Sequence, residues 1–382
     1  MLEELFAPRG FAFRRIEVPD ALWTTPESTG ARINLVAAPV QRRHKACGIY
    51  VHTDTVPAGD GWTRPPFALT REGDRLFGRG TADMKGTVAA LIAALDAAQE
   101  AGLRLARDPV LLACTDEEGG LYPGVRYLAE QHLLDCEELI CLNGVAAPRI
   151  WAGCFGSLDV AITVEGRAAH SGDPGPDGVN AVEEALPVLA ELMALKRDVE
   201  ARVSALPPPP HRGRTLSARL TIAAVHGGAK GSALPGQCRI LVNRRVMPEE
   251  TMAAALAEIT AAVGRARHRS GALDLATQVV GRLDPVTDPD QGGCCWPRWR
   301  QALGWGFGWA EDSFVRYGSS TSSDMGFVQR AGLSEIMLGG LVRPDNRSHA
   351  ADEFTTIQDV VGLARALLGY LADTPIPAGD TP

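Results

Sequence analysis

The chain is poor in lysine, with only Lys45, Lys85, Lys196 and Lys230, and its 38 basic residues are outnumbered by 46 acids. A net charge of −8 with no basic patch argues against a nucleic-acid partner. No apolar run approaches the ~20 residues that a membrane-spanning helix needs, so no membrane partner is expected. The opening MLEELFAPRGFAFRR lacks the basic-then-apolar order of a secretory leader. C-x-x-C spacing is missing among the eight cysteines, at 47, 114, 136, 141, 154, 238, 294 and 295. Most lie inside apolar, strand-like runs. They are expected to be small core residues of a cytoplasmic protein. A G-x-S-x-G elbow is missing too, which argues against Ser-His-Asp nucleophilic catalysis.

What remains is long and ordinary in composition. At 382 residues, 45% apolar and 22% charged, the chain exceeds the usual limit of one core, so two domains are expected. From residue 33 to 142 strand and helix patterns alternate. ACGIYV (46–51), PVLLACT (109–115) and ELICL (138–142) read as strands. Val88, Leu91, Ile92 and Leu95 form a helical stripe within 84–101, and Gly102 suits its end. A further helix is expected over 124–134. Such alternation predicts an α/β fold, a mostly parallel sheet flanked by helices.

Near 156 the texture changes. Residues 158–165 alternate apolar and polar. A long helix is expected over 180–200, then a Pro-rich loop (PPPPHRG) of extended polyproline type. Strands at 216–225 and 237–245, a helix at 249–267 and a strand at 273–281 follow. This β-α-β-β-α-β order predicts an inserted α+β two-layer domain over 157–284, inside a discontinuous larger domain of 1–156 and 285–382. EIMLGG and 356–372 close the larger domain as a strand and a helix, and TPIPAGDTP reads as a loose tail.

The chemistry-bearing residues gather at the carboxyl ends of the larger domain's strands, where an open α/β sheet keeps its ligands. The first strand ends in His52-Thr-Asp54, Asp83 opens the 84–101 helix, and the second strand ends in Asp116-Glu117-Glu118. His349 arrives from RPDNRSHAADEF. Taken singly, Asp83 is most simply an N-cap, His52 a satisfied core residue and Glu117-Glu118 a solvated turn. Taken together, carboxylates at one crevice would repel one another unless a cation joined them. Two histidines with carboxylates are a set that zinc accepts, and two zincs sharing a carboxylate sit ~3.5–4 Å apart.

His52-Thr-Asp54-Thr-Val-Pro, Gly78-Arg-Gly-Thr-Ala-Asp83-Met-Lys-Gly86, Asp116-Glu117-Glu118-Gly-Gly, Gly166-Arg-Ala-Ala-His170-Ser and Ser348-His349-Ala-Ala-Asp352-Glu353 carry a resemblance over nearly the whole chain. Their order resembles that of the zinc amidohydrolases and exopeptidases of acetylornithine deacetylase, succinyl-diaminopimelate desuccinylase, aminoacylase and carboxypeptidase G. The resemblance implies a metal-binding domain with an inserted lid or dimerisation domain, a homodimer, and hydrolysis of an N-acyl amino acid or dipeptide-like amide. It implies one or two Zn2+ ions, with Co2+ or Mn2+ as alternatives. His52 would bind one ion, Asp54 would orient its ring, Asp83 would bridge, and Glu118 with His349 would hold the other. Glu117 would be the general base. His170 would reach a partner subunit's site and stabilise the oxyanion, although by itself it is simply a loop histidine. Arg245 would bind the substrate's free carboxylate, although for either Arg244 or Arg245 a surface arginine on an edge strand is an equally open reading, and the GSSTSSD loop at 318–324 would lie near the substrate.

Two departures stand out. Where the family has a further acid after the third strand, this chain has Asn143, a neutral and weaker ligand or no ligand at all. That leaves room for a second reading, in which the same site forms, rearranges or cyclises an amide in a specialised biosynthetic pathway. A binding module without catalysis is a third, disfavoured by the intact acids and histidines. The second departure is at the front, where the family's opening helix is expected to be short or missing.

Overall fold

The computed structural model describes all residues except 25–29, 120–121, 174, 176, 211–212, 214, 290–292, 294 and 373–382. Cys294, Gly120 of the Asp116 motif, two residues of the Pro-rich loop and the expected tail therefore lie outside the described residues. Two compact units are formed. The first comprises Met1–Trp151, Asp288–Arg316 and Phe327–Pro382, and the second Ala152–Thr287 with Tyr317–Gly326.

In chain order the first unit begins with a five-residue helix, α1 (Leu2–Phe6), then strands β1 (Phe11–Glu17), β2 (Ile33–Pro39) and β3 (Lys45–His52). Helix α2 (Lys85–Glu100), strand β4 (Arg107–Cys114), the short helix α3 (Gly124–Glu130) and strand β5 (Glu138–Cys141) follow. The second unit supplies β6 (Gly156–Glu165), α4 (Leu186–Glu200), β7 (Arg219–Gly227), β8 (Gln237–Val246), α5 (Met252–Arg267) and β9 (Asp274–Leu283). The chain then returns to the first unit as α6 (Cys295–Phe307), β10 (Ile336–Leu338) and α7 (Ile357–Leu371).

The first sheet has the order β1-β2-β4-β3-β5-β10. β4, β3, β5 and β10 are parallel, with Gly48 opposite both Val110 and Leu139, while β2 runs antiparallel to β4 and β1 antiparallel to β2. The parallel strands are almost wholly buried, as covered parallel strands must be. Helix α7 packs against both α2 and α6. The edge strand β1 carries charge outward, with Arg15 paired to Glu3 and Arg14 to Asp135, which discourages edge-to-edge pairing.

At the amino ends of β3, β4 and β5, the end opposite His52, Glu138 is completely buried. Its carboxylate meets Lys45 Nζ at 2.8 Å, the Arg107 guanidinium, Tyr370 Oη at 2.9 Å and Cys295 Sγ at 2.9 Å. Cys295 is thus a donor to a buried charge, rather than only a small core residue.

The second unit is a four-stranded antiparallel sheet, β7-β8-β6-β9, in which Val160 faces Val242 on one side and Val279 on the other. Val160, Ile162, Ile240 and Val242 join Val188 and Leu192 of α4 and Ile259 and Val263 of α5 in one core. The expected 180–200 helix is two pieces. Asn180 caps a single turn at Ala181–Glu184, and a new helix starts at Leu186 with Pro187 in its first turn, where a missing N–H costs nothing.

Candidate metal centre

Each side chain of the centre is placed by the end of a buried element. His52 is the last residue of β3, and its ring is only 1% exposed. Its Nδ1 lies 3.1 Å from the backbone carbonyl of Asp54 and 3.7 Å from the Asp54 carboxylate, so the carbonyl is the closer orienting contact. The other Asp54 oxygen, Oδ2, accepts the backbone N–H of Glu118 at 3.0 Å, tying the turn after β4 to the turn after β3. That turn passes through Asp116 at φ 63°, held by an ion pair with Arg32 at 2.5 Å.

Asp83 does not cap α2. The N-cap is Met84, without a side-chain capping bond. The Asp83 carboxylate instead divides between two histidines, Oδ1 at 3.1 Å from His52 Nε2 and Oδ2 at 3.1 Å from His349 Nε2. His349 Nε2 is also 3.1 Å from Glu118 Oε2, and His52 Nε2 is 3.9 Å from Glu117 Oε2. Asn143, just beyond β5, donates from Nδ2 to Glu117 Oε1 at 2.6 Å. His52, Asp83, Glu117, Glu118, His349 and Asn143 therefore come together, although His349 lies 266 positions from Asp83.

Glu353 carries a role that the sequence reading did not assign. Its Oε1 accepts the backbone N–H groups of Ala82 and Asp83, both at 3.1 Å. Its Oε2 accepts Gly80 N–H at 3.1 Å and pairs with the buried Arg79 at 2.6 Å. It thereby shapes the loop that presents Asp83. Its place in the Ser348–Glu353 motif was the available signal.

The electrostatics suit a site for a cation. Burial opposes charge on His52, but the hydrogen bond to Asp83 and the charges of Glu117, Asp83 and Asp54 outweigh it and raise its pKa to about 9. Burial likewise disfavours charge on Asp83, yet both histidines hold its carboxyl below the usual range. Burial, then the charge of Asp83, raises the Glu118 carboxyl. Glu118 Oε1 is buried without a hydrogen-bond partner among the described residues. Two trios, His52-Glu117-Glu118 and Asp83-Glu118-His349, each offer ligand atoms within 4.8 Å of one another. Ligands on a tetrahedral ion at ~2.0–2.1 Å are spaced by roughly 3.3 Å, close to the 3.1 Å contacts here. An orphaned buried oxygen, an imidazole–carboxylate donor set and this spacing together suit a divalent ion.

His170 and Arg245 belong to the second unit. His170 ends the two-residue strand Ala169–His170 with an exposed ring whose Nδ1 accepts Gly172 N–H at 3.1 Å. The neighbouring arginines divide clearly. Arg244 is fully buried and pairs with Glu250 at 2.6 Å, while Arg245 is half-buried and donates to Ser322 Oγ at 2.9 Å.

A family model described as Peptidase family M20/M25/M40 matches residues 48–373. An acetylornithine deacetylase of Erwinia tasmaniensis is 33% identical over 208 residues, 53% of this chain and 50% of that protein. One from Klebsiella pneumoniae is 31% identical over 264 residues, 66% of this chain and 61% of that protein. The chain thus spans about half to three-fifths of these relatives' length. The M20 family metallo-carboxypeptidase Sso-CP2 of Sulfolobus solfataricus shares the fold, with a TM-score of 0.73 at 17% identity over 97% of this chain and 91% of that one.

Proposed function

Because the chain belongs to peptidase family M20/M25/M40, we propose that it hydrolyses the amide bond of a small N-acyl amino acid or dipeptide-like substrate bearing a free carboxylate. The observation that carries this reading is the Asp83 carboxylate, with one oxygen 3.1 Å from each of two histidines. Asp83, Glu118 and His349 would hold one divalent ion, and His52 with Asp83 a second position. Zinc suits the donor set best, and Co2+ or Mn2+ would bind the same atoms. A bound ion supplies a Lewis acid for the amide carbonyl and lowers the pKa of water toward neutrality.

The chain's own residues do the rest. The Glu117 carboxylate takes a proton from the attacking water and returns it to the leaving nitrogen. Asp54 holds the His52 ring through its carbonyl and the Glu118 turn through its carboxylate. Arg245 offers a guanidinium fork to the substrate carboxylate, and its Ser322 partner keeps it facing the 318–324 loop. His170, exposed on the second unit, would donate to the oxyanion in the centre of a second copy, which makes the working form a homodimer. A cytoplasmic location fits the cysteines, which are all free among the described residues.

The test assays chelator-treated protein, reloaded with Zn2+, on N-acetyl amino acids and dipeptides by release of free amine. Metal-dependent release is expected. Glu117→Gln should lower it by about 10²–10⁴-fold while keeping its metal. Full activity in that variant rejects the assigned base. Metal-loaded wild type that hydrolyses nothing, while Asn143→Asp does, favours the amide-forming alternative.

A further inference from the structure

The two halves of the centre are not equivalent. On one side, His349 Nε2 has carboxylate oxygens of Asp83 and Glu118 both at 3.1 Å. Glu118 is well placed there: its side chain is 8% exposed, its backbone N–H is tied to Asp54, and its buried Oε1 has no hydrogen-bond partner among the described residues, which leaves it available to an ion. On the other side, His52 Nε2 has only Asp83 Oδ1 at 3.1 Å. The next carboxylate, Glu117, stands off at 3.9 Å. Glu117 is held in that position through its far oxygen, which takes the Asn143 amide at 2.6 Å. The donor atom here must be the amide nitrogen, because the amide oxygen facing a carboxylate would set two acceptors against each other.

We infer that Asn143 is a positioning residue for Glu117, and that the centre has one strong ion position, formed by Asp83, Glu118 and His349, and one weak position at His52. The inference rests on the functional reading above. A divalent cation is bound best where anionic oxygens meet it. The His349 side has two carboxylate oxygens at 3.1 Å, whereas on the His52 side Asp83 alone comes that close and Glu117, engaged by Asn143, stands at 3.9 Å. Asn143 does not repair the deficit, since turning its oxygen toward an ion would give up the hydrogen bond that keeps Glu117 as a base. The same contact therefore performs two functions. It aims the general base, and it engages Glu117, the second negative group beside His52, in a hydrogen bond instead of in ligation there.

The experiment titrates Zn2+ and Co2+ into the chelator-treated full chain by calorimetry. Bound ions are then counted by elemental analysis after dialysis, and Co2+ is followed by its visible absorption. Wild type should hold one tight ion per chain, with a second at least about tenfold weaker. Asn143→Asp should bring the second ion to comparable affinity and change the Co2+ spectrum. Asn143→Ala should keep the single tight ion but lower kcat with little change in KM. Two equally tight ions in wild type overturn the inference without any variant being needed. So does an Asn143→Asp protein whose stoichiometry stays at one. Wild type that binds no ion at all sinks the functional reading as well. One tight ion without hydrolysis sinks the functional reading alone.

Discussion

The carboxylate of Glu353 accepts the backbone N–H of Asp83 at 3.1 Å across 270 positions of sequence. Together with its bonds to Gly80, Ala82 and Arg79, it fixes the loop that aims Asp83 at both histidines.

Glu353→Ala should therefore be costly twice over. It leaves Arg79, whose side chain is 1% exposed, as a buried charge without its carboxylate, which costs about 3–5 kcal/mol. It also frees the Asp83 loop, so zinc affinity should fall. Thermal melts with and without zinc check both effects. A variant as stable as wild type and equally tight for zinc would contradict this role.

The paired arginines of β8 should behave in opposite ways. Arg245→Ala should leave the melting temperature close to that of wild type and reduce kcat/KM for carboxylate-bearing substrates by roughly 10–100-fold, the loss of one charge-assisted hydrogen bond. Arg244→Ala should lower stability by roughly 1–3 kcal/mol, because it removes a fully buried guanidinium from Glu250, which keeps its bonds to Arg202 and the Met247 N–H. Kinetics on substrate pairs with and without the carboxylate, alongside melts, distinguish the two. An Arg245→Ala variant that treats both substrates as wild type does would remove Arg245 from the substrate site.

The buried Glu138 should write a pH dependence into stability. Burial alone would raise its pKa, but the hydrogen bonds of Cys295, Lys45 and Tyr370 and the charge of Arg107 hold it below the ordinary value of 4.5. A folded-state pKa below the unfolded one means that the stabilisation is fully present above pH 4.5. It is lost as pH falls from there through the lower folded value. Glu138→Gln should thus be less stable than wild type at pH 7 by roughly 3 kcal/mol, with the gap closing in acid. Urea unfolding at both pH values measures it, and a gap that widened in acid would reverse the sign.

Local pattern made much of this molecule legible. Of the stripe Val88, Leu91, Ile92 and Leu95, all but the half-buried Ile92 became the buried face of α2, and the apolar runs of β3, β4 and β5 did become covered parallel strands. The acids and histidines after those strands were readable because strand ends converge in such a sheet. Helix α6 was not readable, since CWPRWRQALGWGF carries glycines that weaken a helix. Its helical state depends on packing. A side chain at Gly306 would meet the Gly362 carbonyl of α7 at 2.2 Å, so that glycine serves the close crossing of two helices distant in sequence. The contacts of Glu353 with the Asp83 loop and of Asn143 with Glu117 escaped for the same reason: each joins loops whose spacing along the chain says nothing of their distance.

The first unit is interrupted by the second, and its closing segment, which carries His349 and Glu353, comes after the interruption. During synthesis, a nascent polypeptide still short of residue 349 already contains Asp54, Asp83, Glu117 and Glu118 but lacks the imidazole and the loop-shaping carboxylate that complete their arrangement. Domains that fold as they leave the ribosome do so from the amino terminus. Here the insertion can finish first, while the surrounding unit waits for its last strand and helix. A complete Asp83-Glu118-His349 set therefore exists only once the chain has been made past residue 349.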